Sequence, residues 1–324
     1  MGIRVKRPGI LSTVQDLGRL GYRRFGINAN GVMDRTAARL INILLGNEEN
    51  AAVIEMHFPA AEIEFENACL FAVGGADLGM KLVGVDAENW RIHRAAKGSI
   101  LSFQRKLHGE RAYLAVRGGF SVNKWLDSSS TNLTAIIGGT KGRKLESGDR
   151  MKFYSDQNQD NSFTRQQVSP SLIPRYSRFP TIRVIKGGEF ELLSDKSQQQ
   201  FEISHFQISN RSNRMGFRLS GESLKLKAPT ELISSAVNFG TIQLLPDGQL
   251  IILMADHQTT GGYPRIANVI EHDLPLLAQI GANDKIAFEL IDIRTAEEIA
   301  ESFQRDLNLL KTGVRLCSRV VLGE

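Results

Sequence analysis

Cysteine is scarce in this chain. Its 324 residues hold two, Cys69 and Cys317, far apart and outside any Cys-x-x-Cys. That excludes a disulfide framework and a cysteine-based zinc cluster, and reads as free thiols in a reducing compartment. The six histidines (His57, His93, His108, His205, His257 and His272) show no His-Glu-x-x-His spacing, so no metal site is expected. Neither Gly-x-Ser-x-Gly nor a Cys/His arrangement is present, which argues against a covalent nucleophile. There is no P-loop of the form Gly-x4-Gly-Lys-Ser/Thr. No apolar run approaches the roughly 20 residues needed to cross a bilayer. The N-terminal stretch Met1-Gly2-Ile3-Arg4-Val5-Lys6-Arg7-Pro8 carries charge but no apolar core, so no signal peptide is read there. A cytoplasmic address and no membrane partner are expected. The net charge of +5 is spread among acidic residues, without a basic stripe interleaved with aromatics, and nucleic acid is not an expected partner.

Short apolar runs and glycine are abundant. Hydrophobic residues make up 42% and charged residues 23%, the balance of a globular protein able to bury a large core without staples. Strands are expected at 61–65, 68–73, 111–116, 150–154, 181–185, 241–245, 250–254 and 285–291. Leu107-His108-Gly109-Glu110 and Pro246-Asp247-Gly248-Gln249 read as hairpin turns. Helices are few. Asp34 can cap a helix over 35–45, with Ala38, Ile41, Leu44 and Leu45 as its apolar stripe and Gly46 ending it. Thr295 and Glu298 read as a capping box for a helix carrying Ile299, Phe303, Leu307 and Leu310. Pro275 opens a short helix. Many short strands and few helices predict a mainly β chain of two closed or nearly closed barrels.

The two halves echo each other in order. Ile3-Arg4-Val5 matches Ile182-Arg183-Val184, and Arg19-Leu20-Gly21-Tyr22-Arg23 matches Arg214-Met215-Gly216-Phe217-Arg218. Gly98-Ser99-Ile100 matches Gly240-Thr241-Ile242, Gly118-Gly119-Phe120 matches Gly261-Gly262-Tyr263, and Asp149-Arg150-Met151-Lys152-Phe153 matches Asp284-Lys285-Ile286-Ala287-Phe288. We read a duplicated β-rich unit: a first subdomain over 1–155 with a helical insertion, a polar and proline-bearing linker over 156–180, and a second subdomain over 181–324 ending in a helix.

The segment Ala255-Asp256-His257-Gln258-Thr259-Thr260-Gly261-Gly262-Tyr263-Pro264 follows a buried strand. It gathers an acid, an amide and two hydroxyls beside glycines able to take positive φ. It reads either as a polar hairpin turn or as a ligand loop. His257 stands between a general base and an ordinary loop histidine. Elsewhere, Gln15-Asp16-Leu17-Gly18-Arg19 is a structural turn with an ion pair or part of a site. Asp34 is an N-cap whose helix end also offers N–H groups to anions. Gly138-Gly139-Thr140-Lys141-Gly142-Arg143-Lys144 is a solvated turn or a weak phosphate loop. Arg211 and Arg214 sit among amides and hydroxyls suited to carboxylate or phosphate capture.

Together these stretches resemble one family, known as allophanate hydrolase subunit 2, KipA, biotin-dependent carboxyltransferase, or the 5-oxoprolinase subunit designated C (PxpC). The signatures are STVQDLGRLGYRRFGI at 12–27, NGVMD at 30–34, RGGF at 117–120, GGTKGR at 138–143, SNRMGFRLSG at 212–221 and ADHQTTGGYPRI at 255–266. The resemblance implies two cyclophilin-like β-barrels. It also implies a partner similar to PxpB or KipI, a PxpA-like (LamB/YcsF) partner, and one of three roles. These are a subunit of an ATP-dependent 5-oxoprolinase using ATP with Mg, a carboxyltransferase of a urea carboxylase system using carboxybiotin, or a regulator that antagonises a KipI-like kinase inhibitor. No biotin-attachment Met-Lys-Met is present, so ATP or carboxybiotin would need a non-standard site or one shared with a partner. Asn213 stands where an Asp often precedes Arg-Met-Gly in the family, and offers no carboxylate base. Under the oxoprolinase reading, Asp16, Asp34, Asp256 and Gln258 are the catalytic candidates. Gln15, Arg19, Arg143, Arg214, Thr259, Thr260, Gly261, Gly262 and Tyr263 are the candidates for binding a small-molecule substrate or its phosphate.

Overall fold

The computed structural model describes residues 1–154 and 166–322. The chain is mainly β, and its described residues hold four α-helices: α1 (Arg35–Leu44), α2 (Asp195–Ile203), α3 (Leu274–Ala278) and α4 (Ile293–Leu322). It divides into two compact units. One comprises Met1–Gly18, Asp34–Arg175 and Gln304–Glu324, and the other Arg19–Met33 and Tyr176–Phe303. Each strand expected from the sequence is present, with ends shifted by a few residues.

In the first unit the strands form two antiparallel sheets. A seven-stranded sheet runs Phe120–Ser121, Arg150–Phe153, Gly2–Arg7, Glu62–Phe65, Ile100–Phe103, Met80–Leu82, Val85–Asp86. A five-stranded sheet runs Ser12–Gln15, Val53–His57, His108–Val116, Cys69–Asp77, His93–Ala95. Strand alternation places Ile3, Val5, Ile63 and Phe65 of the larger sheet in one core with Ile54, Phe71, Val73 and Leu114 of the smaller. The two long strands Cys69–Asp77 and His108–Val116 are apolar on both faces because α1 lies against them. Only Gly at position 74 permits that approach, since a Cβ there would meet Ile41 at 2.6 Å and Trp90 at 2.8 Å. The apolar stripe understated the burial of α1, as Thr36, Ala37, Leu40, Asn42 and Ile43 are buried too.

The second unit is a closed seven-stranded barrel. Its order is Thr181–Lys186, Arg265–Val269, Thr241–Leu244, Leu250–Leu253, Gly216–Ser220, Phe206–Ile208, Lys285–Leu290, and a parallel pairing of the first and last strands completes the ring. Phe201 of α2 stacks on Phe288 with ring centroids 4.8 Å apart and packs beside Phe206 and Phe190. Closure satisfies every strand edge, so the barrel has no edge to protect.

Several expectations change in detail. The barrel expected at each half is closed in the second unit, whereas the first unit's strands divide between two sheets. The duplicated anchors around Ile3 and Ile182 both lie on strands. However, the first pairs antiparallel with Arg150–Phe153 and the second parallel with Lys285–Leu290. Pro246–Gln249 is a hairpin turn between antiparallel strands, closed by Leu245 N–H to the Gln249 carbonyl. Leu107-His108-Gly109-Glu110 is not a turn. It enters the strand His108–Val116 through a bulge, where the register jumps between His108 and Ala112. Helix α4 starts before the expected capping box, because Asp292 accepts the Thr295 N–H at 2.7 Å while Glu298 turns to Arg294. Of the expected linker, residues 156–165 lie outside the described residues. Gln166 and Val168 are bonded to Ile92 and Trp90 of the first unit, and Val168 is buried.

The Asp34 carboxylate caps α1 by accepting the Ala37 N–H at 2.8 Å, as expected. Asp34→Ala is expected to lower stability by about 1 kcal/mol, with Asp34→Asn retaining most of it. Urea denaturation of both proteins checks this, and equal midpoints for Ala and wild type would refute the cap's contribution.

Candidate functional site

In the second unit, the backbone continues to pair beyond the strand Leu250–Leu253. Met254 N–H reaches the Met215 carbonyl at 3.0 Å, and Asp256 N–H reaches the Arg214 carbonyl at 2.8 Å. This register sets the side chains of Arg214 and Asp256 side by side. Arg214 Nε lies 2.9 Å from Asp256 Oδ2 and its Nη2 lies 3.0 Å from Oδ1, a bidentate pair with little solvent contact. Arg214 Nη2 also donates to the Gly31 carbonyl at 2.5 Å. The Asn30 amide donates to Asp256 Oδ1 at 2.8 Å, and Asn28 donates to the Asp256 carbonyl at 3.1 Å. Arg19, fully buried, donates to Asn30 Oδ1 at 3.1 Å. The network therefore joins Arg19, Asn28, Asn30, Gly31, Arg214 and Asp256. Both guanidiniums are engaged by protein groups, so they act from behind the loop rather than facing outward for an anion.

Beyond Asp256 the loop turns outward. His257 is buried, its Nδ1 2.5 Å from the Gln258 carbonyl, which points away from a freely placed general base. Thr260–Gly261 pairs with Ser235–Ala236 in a two-stranded ladder, and Val237 N–H reaches the Thr259 carbonyl. Gly261 and Gly262 do not take the positive φ expected of them. Gly261 is small for another reason: a Cβ there would sit 2.7 Å from Gln243 Nε2. Gln243 is 1% exposed and donates from Nε2 to the Tyr263 carbonyl at 3.2 Å, while its Oε1 has no partner.

Gln258 and Tyr263 line a cleft of about 480 Å³ together with Arg211, Asn213, Arg218 and Gln243 over Met215, Ile251 and Leu253. Tyr263 and Gly262 also line a broader groove of about 910 Å³ with Leu224, Leu226 and Leu232. Thr259 and Thr260 line neither. Sequence reasoning missed Gln243 and Arg218. Both lie on strands, at Thr241–Leu244 and Gly216–Ser220, and no local signal separates them from ordinary strand residues.

The remaining candidates lie in the first unit. Asp16 is buried and its carboxylate is saturated. It accepts from Gly18 N–H, Ser129 N–H and the hydroxyls of Ser128 and Ser130 at 2.5–2.8 Å. Gln15 donates to Thr13 Oγ1 and the Thr131 carbonyl, with Oε1 unpartnered. Asp34 N–H donates to the Tyr113 hydroxyl at 2.9 Å, and burial raises that phenol well above its ordinary value. Arg143 forms a bidentate pair with Asp149 at 2.7 and 2.9 Å and reaches Glu146 at 3.3 Å. Its loop is closed on itself, since a Cβ on Gly142 would meet the Ile136 carbonyl carbon at 2.1 Å. The Arg143 guanidinium is thus engaged by carboxylates of its own neighbourhood. Among the described residues no group of three His, Cys, Asp or Glu gathers to hold a metal, and no helix is long and apolar enough to cross a membrane.

The carboxyltransferase domain family, subdomains A and B, matches residues 25–290. The 5-oxoprolinase subunit designated C from Haemophilus influenzae is 40% identical over 89% of this chain and 91% of its own length. Its namesake from Escherichia coli is 38% identical over 94% and 96%. Among solved structures, the K. lactis urea amidolyase aligns with a TM-score of 0.89 at 27% identity. The alignment covers 95% of this chain, which spans 20% of that larger protein.

The two ion pairs make different demands on the fold. Asp256→Ala leaves the Arg214 guanidinium buried without its carboxylate and is expected to destabilise the fold by about 3–5 kcal/mol. Urea denaturation reads this, and wild-type stability would mean the pair is dispensable. Separately, the hydrogen bond from Arg143 holds the Asp149 carboxyl below its ordinary value of 3.8. The folded value lies below the unfolded one, so the pair stabilises the fold above pH 3.8 and fades as pH falls through the folded value. Arg143→Ala should therefore cost up to about 1 kcal/mol at neutral pH and little in strong acid, since the pair is partly solvated. Denaturation midpoints across that range decide it.

Proposed function

Because the chain belongs to the carboxyltransferase domain family, subdomains A and B, we propose that it works as the PxpC-type subunit of an ATP-dependent 5-oxoprolinase. The reaction takes 5-oxo-L-proline, ATP and water to L-glutamate, ADP and phosphate, in an assembly with PxpB/KipI-like and PxpA-like (LamB/YcsF) subunits. The observation that carries this reading is the 40% and 38% identity to two proteins that bear the name of that 5-oxoprolinase subunit, over nine tenths or more of their lengths.

The chemistry agrees with the site. A lactam carbonyl is a poor electrophile. Phosphorylation of its oxygen, which ATP supplies, makes the carbon open to water, and ring opening leaves the nitrogen as the amine of glutamate. Such a reaction needs positioning and charge stabilisation rather than a covalent nucleophile. In this reading the Gln258 amide and the Tyr263 ring contact the substrate at the cleft. The Arg214–Asp256 pair holds that loop in place. The nucleotide and its Mg are assigned to the assembly, because the sequence carries no P-loop and Arg143 of the Gly138–Lys144 loop is engaged by Asp149 and Glu146.

A second reading, carboxyl transfer from carboxybiotin in a urea carboxylase system, is favoured by the TM-score of 0.89 to urea amidolyase. Co-expression with the PxpB-like and PxpA-like subunits and measurement of ADP release separates the two. ADP release dependent on 5-oxo-L-proline, with kcat/KM lowered roughly tenfold in Gln258→Ala, is the expected outcome. No such release, with urea-dependent turnover beside a biotin carboxylase instead, would overturn the oxoprolinase reading. Silence in both, with an effect on a KipI-inhibited kinase, would assign the regulatory role.

A further inference from the structure

The loop that opens on the fully buried Arg19 carries a motif that the cleft does not use, Leu20-Gly21-Tyr22-Arg23-Arg24-Phe25. Its base is closed, because Arg19 N–H reaches the Ala29 carbonyl at 2.7 Å. Its middle is tied to the chain before Thr241. Arg23 donates to Asn238 Oδ1 at 2.5 Å and to the Val237 carbonyl. Phe25 N–H and Gly26 N–H close a turn on the Tyr22 and Arg23 carbonyls at 3.0 Å. Gly21 and Gly26 take φ of 91° and 77°, with open space where a Cβ would stand, so they serve the path of the backbone rather than close packing. The result is a fixed loop that leaves Leu20 70% and Phe25 64% exposed.

A lone exposed apolar side chain is ordinary. Here the exposure continues into the neighbouring segment. From Val237 the chain runs back through the Ser235–Ala236 ladder to Ile233, which is 94% exposed. That stretch passes over Gly262, whose Cβ would lie 3.3 Å from Ser234 Oγ, and the exposed Tyr263 follows. Contiguous apolar exposure of this kind marks an interaction site. Leu20 and Phe25 line neither the cleft nor the groove described above, so they are placed to meet a large partner rather than to enclose a small molecule.

The same surface is positive. Elsewhere in the barrel unit Arg183, Arg214 and Arg265 are each held by a carboxylate. Arg23 instead spends its guanidinium on neutral acceptors, and Arg24 lies over the Phe25 ring at 4.7 Å. Neither makes an ion pair among the described residues, and nor do the exposed Arg211 and Arg218 beside Tyr263. The acids close by, Glu231 and Asp247, do not balance them. Aromatic and arginine side chains held on a fixed loop are the composition of a protein interface, and their fixed geometry lowers the entropy lost on binding. A positive face is complemented by an acidic one.

We propose that Leu20, Arg24, Phe25 and Ile233 form a docking surface for another protein subunit, one whose matching face offers an apolar socket rimmed by carboxylates. That this occupant belongs to a 5-oxoprolinase assembly rests on the function proposed above; the surface rests on its own exposure and charge.

The test titrates the full chain, by calorimetry at low and high salt, into separately purified PxpB-like and PxpA-like subunits. One of the two is expected to bind the wild type, more weakly as salt rises. Leu20→Ser/Phe25→Ser should weaken that binding by about tenfold or more, and Ile233→Ser should weaken it independently. Arg24→Glu should slow association and flatten the salt dependence. All four positions are exposed, and unchanged thermal melting confirms that the variants fold. In the mixed subunits, the apolar variants should raise the concentration of this chain needed for half-maximal turnover while leaving turnover at saturation unchanged, which damage to a catalytic group would not do. Unaltered affinity in Leu20→Ser/Phe25→Ser overturns the surface. So does binding of neither subunit, or sedimentation showing that the chain pairs with itself through these residues. If the wild-type mixture turns over 5-oxo-L-proline and the variants assemble normally, the surface falls and the function stands. If a complex depends on Leu20 and Phe25 but releases no ADP with 5-oxo-L-proline, the function falls and the surface stands.

Discussion

The largely buried ion pair between Arg214 and Asp256 is the contact on which the candidate site depends. Removing two charges from water is costly, and the attraction between them offsets that only when geometry and additional hydrogen bonds are good. Here the guanidinium is bidentate on the carboxylate and also donates to the Gly31 carbonyl, while Asn30 donates to the same carboxylate. The polar groups are satisfied by segments distant in sequence, 19–33 and 214–256. The pair therefore does more than hold two side chains. It ties the residues that follow the strand Leu250–Leu253 to the segment 28–31.

Everything outward of that pair inherits its position. Gln258 and Tyr263 reach a cleft because His257 is turned inward and Thr260–Gly261 is tied to Ser235–Ala236. Gly261 is small so that Gln243 can approach. A charged, engaged layer behind and a polar, less engaged layer in front is an arrangement that separates structural charge from charge available to a ligand. Arg214 and Arg218, four residues apart, fall on opposite sides of that division. One is buried in a pair and the other is exposed at the cleft.

The first unit uses carboxylates in a comparable structural way. Asp16 is surrounded by Ser128, Ser129 and Ser130 and accepts four hydrogen bonds. Asp34 caps α1, and Asp149 clamps Arg143. Acid, glycine and arginine together are thus not by themselves a sign of catalysis. In each case the neighbours supplied by the fold decide whether the group is spent on the protein or left for a ligand.

Local pattern alone determined a good deal. The apolar run Leu250–Leu253, the cap at Asp34 and the hairpin at Pro246–Gln249 were all readable. Each depends on residues close in sequence, whose spacing reports burial or turn geometry directly. The loop 255–264 was also readable as a place where polar groups follow a buried strand. Tertiary structure decided the rest, because the deciding partners are remote along the chain. Nothing near Leu107-His108-Gly109-Glu110 reveals that Asp77 pairs with it as a bulged strand. Nothing near Arg19 announces Asn30 bridging it to Asp256. Nothing near Gln243 or Arg218 shows that their strands flank Leu250–Leu253 on its two sides and bring them to one cleft with Tyr263. Periodicity records which face of an element is buried, but which charge finds a partner is a property of three-dimensional proximity.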